Sequence, residues 1–157
     1  MRIYIFAAMR VILQRVRSAS VSMSGAIVGA VNHGLLALVG FTHADTPAEV
    51  QWIAEKLMQI RVFADDDGKM NRSVVDVSGG ILVVSQFTLY GELRKGTRPT
   101  YTEAARPDVA EPLYDLLLAT LRSATSLHVA SGVFGAMMDV ALVNDGPVTI
   151  LLERSTP

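Results

Sequence analysis

A chain of 157 residues, half of them hydrophobic and 18% charged, is long enough for one buried core and too apolar to remain disordered. It has no cysteine, which excludes disulfides, thiolate metal sites and thiol nucleophiles and makes a reducing cytoplasm the expected compartment. A net charge of −1 argues against a broad basic face tracking duplex phosphates, whereas a protein that handles a single-stranded terminus has few phosphates to neutralise.

Residues 1–8 are apolar but too short to cross a bilayer, and they lack the flanks of a signal peptide. They read as an extension, able to lengthen the first strand but expected to be frayed, ahead of a single domain over 9–157. From 9 to 41 the pattern is β. Val11, Leu13 and Arg15 alternate with Ile12, Gln14 and Val16, and Ala19, Val21 and Met23 alternate with Ser18, Ser20 and Ser22. Turns at Ser24-Gly25 and Asn32-His33-Gly34 set off strands over 26–31 and 35–39.

Thr46, Pro47 and Glu49 predict a helix start, with a cap, a proline at the first position and a capping box. Val50, Ile53, Ala54, Leu57, Met58, Ile60 and Phe63 follow at helical spacing, so one face packs on a sheet, with Trp52 half-buried at its edge. Asp65-Asp66-Asp67-Gly68-Lys69 is no EF-hand loop, because the sixth and twelfth positions are Met70 and Asp76 rather than glycine and glutamate. It reads as a turn.

Four consecutive apolar residues, Ile81 to Val84, lie between glycines and predict a strand buried on both faces. It ends in Ser85, Gln86 and Thr88, polar groups that serve either a site or an ordinary turn. The loop over 91–101 holds Arg94, Lys95 and Arg98, placed to receive phosphates or to remain solvated. A second helix is expected with Asp108 as its cap and Val109, Leu113, Leu116, Leu117, Leu121 and Ala124 as its stripe, Pro112 falling in the first turn. Segments 127–130, 138–143 and 148–152 return to β, the last two reading as a hairpin around Asn144-Asp145-Gly146-Pro147.

His33, His43 and His128 show no metal-ligand spacing, and Ser85 has neither a G-x-S-x-G elbow nor an evident base. The candidate pocket is thus rich in backbone donors and poor in titratable groups. That suits a reaction in which the substrate supplies its own reactive group.

Ser85-Gln86-Phe87-Thr88-Leu89 and Asn144-Asp145-Gly146-Pro147-Val148-Thr149 together resemble the two signature motifs of the D-aminoacyl-tRNA deacylases. The resemblance extends from Met9-Arg10-Val11 through Gly96-Thr97-Arg98-Pro99 and Gly132-Val133-Phe134-Gly135-Ala136 to Leu152. Val133 and Met137 depart from it where some relatives carry charge. It implies an α+β fold, with antiparallel, partly barrel-like sheets and two helices on one side. It also implies a homodimeric editing hydrolase that needs no cofactor or metal. The enzyme would act on the tRNA acceptor end, accepting D-amino acids and glycine and rejecting L forms. The substrate 2′-hydroxyl would take part in hydrolysis, with the N–H groups of Phe87 and Thr88 as oxyanion donors beside Ser85 and Gln86; the Thr88 hydroxyl is the rival nucleophile. A cis Gly146-Pro147 from the partner subunit would exclude L side chains. Phe134, Met138, Ala105 and Arg15 are further pocket candidates that serve equally as packing or surface residues. A non-catalytic nucleic-acid-binding module is the alternative.

Overall fold

A computed structural model describes residues 7–155. Positions 1–6 of the expected extension lie outside the described residues, and Ala7 and Ala8 begin the first strand. The chain runs β1 (Ala7–Met23), β2 (Ala26–Val31), β3 (Gly34–Gly40), α1 (Pro47–Gln59), β4 (Phe63–Ala64), β5 (Met70–Arg72), β6 (Gly80–Ser85), a 3₁₀ turn (Phe87–Tyr90), α2 (Pro107–Ala124), β7 (Val129–Ser131) and β8 (Asp139–Ser155). This is the α+β class expected. The main sheet has the order β2-β1-β3-β6-β7 with β8 laid along β1, while β4 and β5 form a separate ribbon.

The sheet is mixed and not antiparallel throughout, since β6 lies parallel to β3 and β7 parallel to β6. Connectivity is the reason. α1 lies in the crossover from β3 to β6, and α2 in that from β6 to β7; such crossovers return the chain to the same end of a sheet. Alternation then divides the core. Leu35, Ala37, Val39, Ile81 and Val83 pack with both helices, whereas Leu36, Leu82 and Val84 join Val16, Val21 and Val31 in a second cluster. This second cluster lies within the curl of the sheet, whose ends nearly meet. A Cβ placed on Gly29 of β2 would fall 2.5 Å from the Ser131 carbonyl oxygen of β7. The central strand is buried on both faces, as its unbroken apolar run requires.

α1 starts where its signals place it, with Thr46 capping and Glu49 Oε2 accepting from the Thr46 N–H at 2.6 Å. α2 departs from expectation. It begins at Pro107, so Asp108 lies in the first turn rather than at the cap, and Pro112 sits inside the helix. Its buried stripe is Ala110, Leu113, Tyr114, Leu117, Leu118 and Leu121, while Val109 and Leu116 are exposed. Proline's preset φ makes Pro107 a good first residue, and its missing N–H loses nothing there. No helix among the described residues is long and apolar enough to cross a membrane.

The expected C-terminal hairpin is instead one strand. β8 pairs with β1 on both sides of the motif, from Val11↔Leu152 to Ser22↔Asp139, and the register jumps from Gln14↔Thr149 to Val16↔Asn144. Asp145, Gly146, Pro147 and Val148 therefore stand opposite the single residue Arg15 as a wide bulge.

Asp45 ties the start of β1 to the turn before α1. Its buried carboxylate accepts from the Met9 N–H at 3.0 and 3.2 Å and from the Thr42 N–H at 2.8 Å. Burial raises its pKa above the ordinary carboxylate value, and these two N–H donors work in the other direction. Replacing Asp45 with alanine leaves both donors buried without an acceptor, at an expected cost of about 3 kcal/mol in urea unfolding. A loss below about 1 kcal/mol would mean that water takes the carboxylate's place.

Candidate active site

Ser85 ends β6 beside Val39 of β3. The Gln86 N–H donates to the Val39 carbonyl at 2.7 Å, and the chain then leaves the sheet through the 3₁₀ turn. The first N–H groups of such a turn have no acceptor within it. Those of Phe87 and Thr88 find none among the described residues, and both residues are exposed. Gln86 Nε2 donates to Thr88 Oγ1, so the threonine hydroxyl is held as an acceptor.

These groups line an open cleft of ≈ 760 Å³, which also takes in Ala105, Phe134, Met138, Tyr101 and Arg106. Its walls are fixed from several directions. The Ala105 N–H donates to Phe41 O at 2.9 Å at the end of β3. Tyr114 of α2 packs its ring 5.9 Å from that of Phe134 and donates its hydroxyl to Val83 O at 2.9 Å. Burial pushes the Tyr114 hydroxyl up to about 12, so it remains a neutral donor. Across the loop from β7 to β8, Met138 Sδ lies 3.3 Å from the Val133 nitrogen, and Gly132 leaves room for that sulfur.

The lining holds no histidine, carboxylate or lysine among the described residues, and Arg106 is its one ionised side chain. No group of three His, Asp or Glu side chains among the described residues could hold a metal ion. An apolar cleft with two unoccupied main-chain donors at its mouth can bind an uncharged body and stabilise a developing oxyanion.

Of the residues singled out from sequence, Ser85, Gln86, Phe87, Thr88, Ala105, Phe134 and Met138 meet in this cleft, whereas Arg15, Gly146 and Pro147 do not line it. These last three form a second constellation. Arg15 Nε donates to the Asp145 carbonyl at 2.9 Å and lies 3.4 Å from its carboxylate. Asn144 closes the bulge, its Oδ1 accepting from the Val148 N–H at 2.7 Å and its Nδ2 donating to Val148 O at 3.1 Å. The Gly146-Pro147 peptide is cis, with Gly146 at φ +145°, and both residues are exposed. Sequence reasoning missed Tyr101, whose ring stands edge-on to Phe87 at 5.1 Å. A lone aromatic in a polar loop carries no periodic signal.

A family model described as D-Tyr-tRNA(Tyr) deacylase matches residues 12–153. A D-aminoacyl-tRNA deacylase of Exiguobacterium sp. is 60% identical over 147 residues, covering 94% of this chain and 99% of the relative. One of Opitutus terrae is 57% identical over 145 residues, covering 92% and 97%. Among solved structures, the c-Myc DNA Unwinding Element Binding Protein superposes with a TM-score of 0.87 at 39% identity, over 92% of this chain and 98% of that one. A probable eukaryotic D-amino acid tRNA deacylase shares the fold at 19% identity, with a TM-score of 0.80 over 94% and 100%. With the motifs, the fold and the extent of the match in agreement, the chain belongs to the D-Tyr-tRNA(Tyr) deacylase family.

Proposed function

We infer that this D-aminoacyl-tRNA deacylase hydrolyses its ester with main-chain donors and the substrate's own hydroxyl, without a side-chain nucleophile. The observation that carries this reading is that the N–H groups of Phe87 and Thr88 have no acceptor among the described residues and stand beside a lining in which those residues supply no general base. The amino acid sits in the apolar part of the cleft, its carbonyl oxygen directed at these two donors. The vicinal 2′-hydroxyl of the terminal ribose, or a water that it orients, attacks the carbonyl carbon. Orientation of that kind provides up to roughly 7–11 kcal/mol in well-aligned intramolecular reactions, and each oxyanion donor about 10²–10³ in rate.

Handedness is read by Gly146 and Pro147 of a second copy, in a homodimer. The exposed apolar residues of β8, Val140, Leu142, Val143 and Leu151, support such an interface. Glycine has no side chain to exclude, so glycyl-tRNA mischarged on tRNA(Ala) is accepted as well. The place of work is the cytoplasm.

The test is release of amino acid from tRNA charged with D-tyrosine, L-tyrosine or glycine. The wild type is expected to release D-tyrosine and glycine and to spare L-tyrosine. Thr88→Ala is expected to keep kcat within about tenfold, because its hydroxyl faces an amide donor and no base. A loss above about 10⁴ with the fold intact would make Thr88 the nucleophile. A non-catalytic nucleic-acid-binding role is the second reading, favoured by the basic loop and by the DNA-binding name of the solved structure at 39% identity; such a binder would release neither enantiomer.

A further inference from the structure

Beyond the cleft mouth, the loop over 91–101 is built rather than loose. Glu92 and Thr100 exchange main-chain hydrogen bonds of 2.8 and 3.0 Å, which closes it at its base. Tyr101 follows that closure, and its ring has a defined seat. A Cβ on Gly91 would lie 3.2 Å from Tyr101 Cε1, so the glycine leaves the ring room on one side, and Phe87 meets it edge-on at 5.1 Å on another. The two rings are nonetheless 59% (Phe87) and 39% (Tyr101) exposed, an apolar shelf that the fold itself does not cover.

The same loop is rich in positive charge. Residues 91–106 hold four cations against two carboxylates in a chain of net charge −1. Arg94 pairs with Glu92 at 3.1 Å and Arg106 with Asp108 at 3.5 Å, while Lys95 and Arg98 form no ion pair among the described residues. Exposed aromatic faces beside uncompensated cations are the chemistry of single-stranded nucleic acid, with bases stacked on rings and phosphates at the cations.

We propose that Phe87, Tyr101, Lys95 and Arg98 form a second subsite, which holds the unpaired nucleotides immediately 5′ of the acylated terminal one. A base stacks on Tyr101, and the neighbouring phosphates lie against Lys95 and Arg98. The subsite rests on the proposed deacylase reading. It makes a distinct demand, namely that the enzyme distinguish a whole tRNA from its aminoacylated terminal nucleoside alone.

The experiment measures kcat and KM on D-tyrosyl-tRNA and on D-tyrosyl-adenosine, at several salt concentrations, for the wild type, Tyr101→Leu, Tyr101→Phe and the double variant Lys95→Ala/Arg98→Ala. Tyr101→Leu is expected to raise KM for the tRNA about 5- to 100-fold relative to its effect on the nucleoside ester, and Tyr101→Phe to restore it. The double variant is expected to raise KM for the tRNA alone and to flatten the log KM against log salt slope by about 1.4, at roughly 0.7 per phosphate of a single strand. Equal losses on both substrates, or an unchanged KM for the tRNA, overturn the subsite while leaving the deacylase reading intact. A wild type that cleaves neither ester overturns the deacylase reading and the subsite with it. Because the double variant alters only exposed loop residues, misfolding of Tyr101→Leu would not remove the test.

Discussion

Gly34→Ala is expected to destabilise the protein by at least about 4 kcal/mol, because a methyl group there meets a closer contact than at any other glycine. Gly34 opens β3 and pairs in parallel with Gly80, the first residue of β6. A Cβ there would lie 2.0 Å from Gly80 O and 2.7 Å from Gly80 N, main-chain atoms with no rotamer through which to yield. Relief requires β6 to move away from β3, which breaks the 3.0 Å bond from the Gly80 N–H to His33 O at the root of the strand bearing the site. The whole protein is held by only about 5–15 kcal/mol, so the variant either fails to fold or melts roughly 10 °C lower or more. Gly68→Ala is the control. Nothing lies within 4 Å of its added methyl, and its φ of +80° is the sole penalty, so about 1 kcal/mol is expected. Equal thermal shifts for the two variants would show that the strands separate freely and that close approach at Gly34 is unimportant.

What could be read in the sequence follows from how local each signal is. The start of α1 was legible to the residue, because Thr46, Pro47 and Glu49 act within one turn; its end was not, since Ile60 and Phe63, read into the same stripe, fall at its C-cap and in β4. The central strand was legible because an unbroken apolar run has few other uses. Its parallel sense was harder to see, since it depends on each helical crossover carrying the chain back to the same end of the sheet, a relation spread over much of the chain. Asn144 to Thr149 shows the limit most clearly. Asparagine, aspartate, glycine and proline are the chemistry of a hairpin, and here they make a bulge, because β1 offers one continuous partner to both flanks from more than a hundred residues away. Ser85 to Thr88 announced a site by placing polar groups at the end of a buried strand. Tyr101 announced nothing, since its neighbours Gly91 and Phe87 are supplied by folding.

Gly146→Ala is expected to lower kcat/KM for D-tyrosyl-tRNA by about 100-fold or more, the scale of loss that a misplacement of about 1 Å brings in an active site. The backbone demands glycine at this position. At φ +145° an L residue is strained by roughly 1–3 kcal/mol, and its Cβ would fall 2.9 Å from Val148 N and 3.2 Å from Arg15 Nη2. The bulge has little slack with which to adjust. Asn144 grips both main-chain groups of Val148, and Arg15 holds Asp145 O, so the strain moves the exposed tip and not the strand beneath it. If the tip works in the cleft of a second copy, the damage can be rescued from outside. A Gly146→Ala subunit keeps a sound cleft, and an Ala105→Trp subunit, its cleft filled, keeps a sound tip. Each is expected to be inactive as a homodimer. Heterodimers would regain one of their two sites, so a statistical mixture recovers about a quarter of the wild-type activity on tyrosine of D hand. A mixture as silent as its parents, with heterodimers present by mass, would return Gly146 and Pro147 to their own subunit and end the cross-subunit reading of chirality.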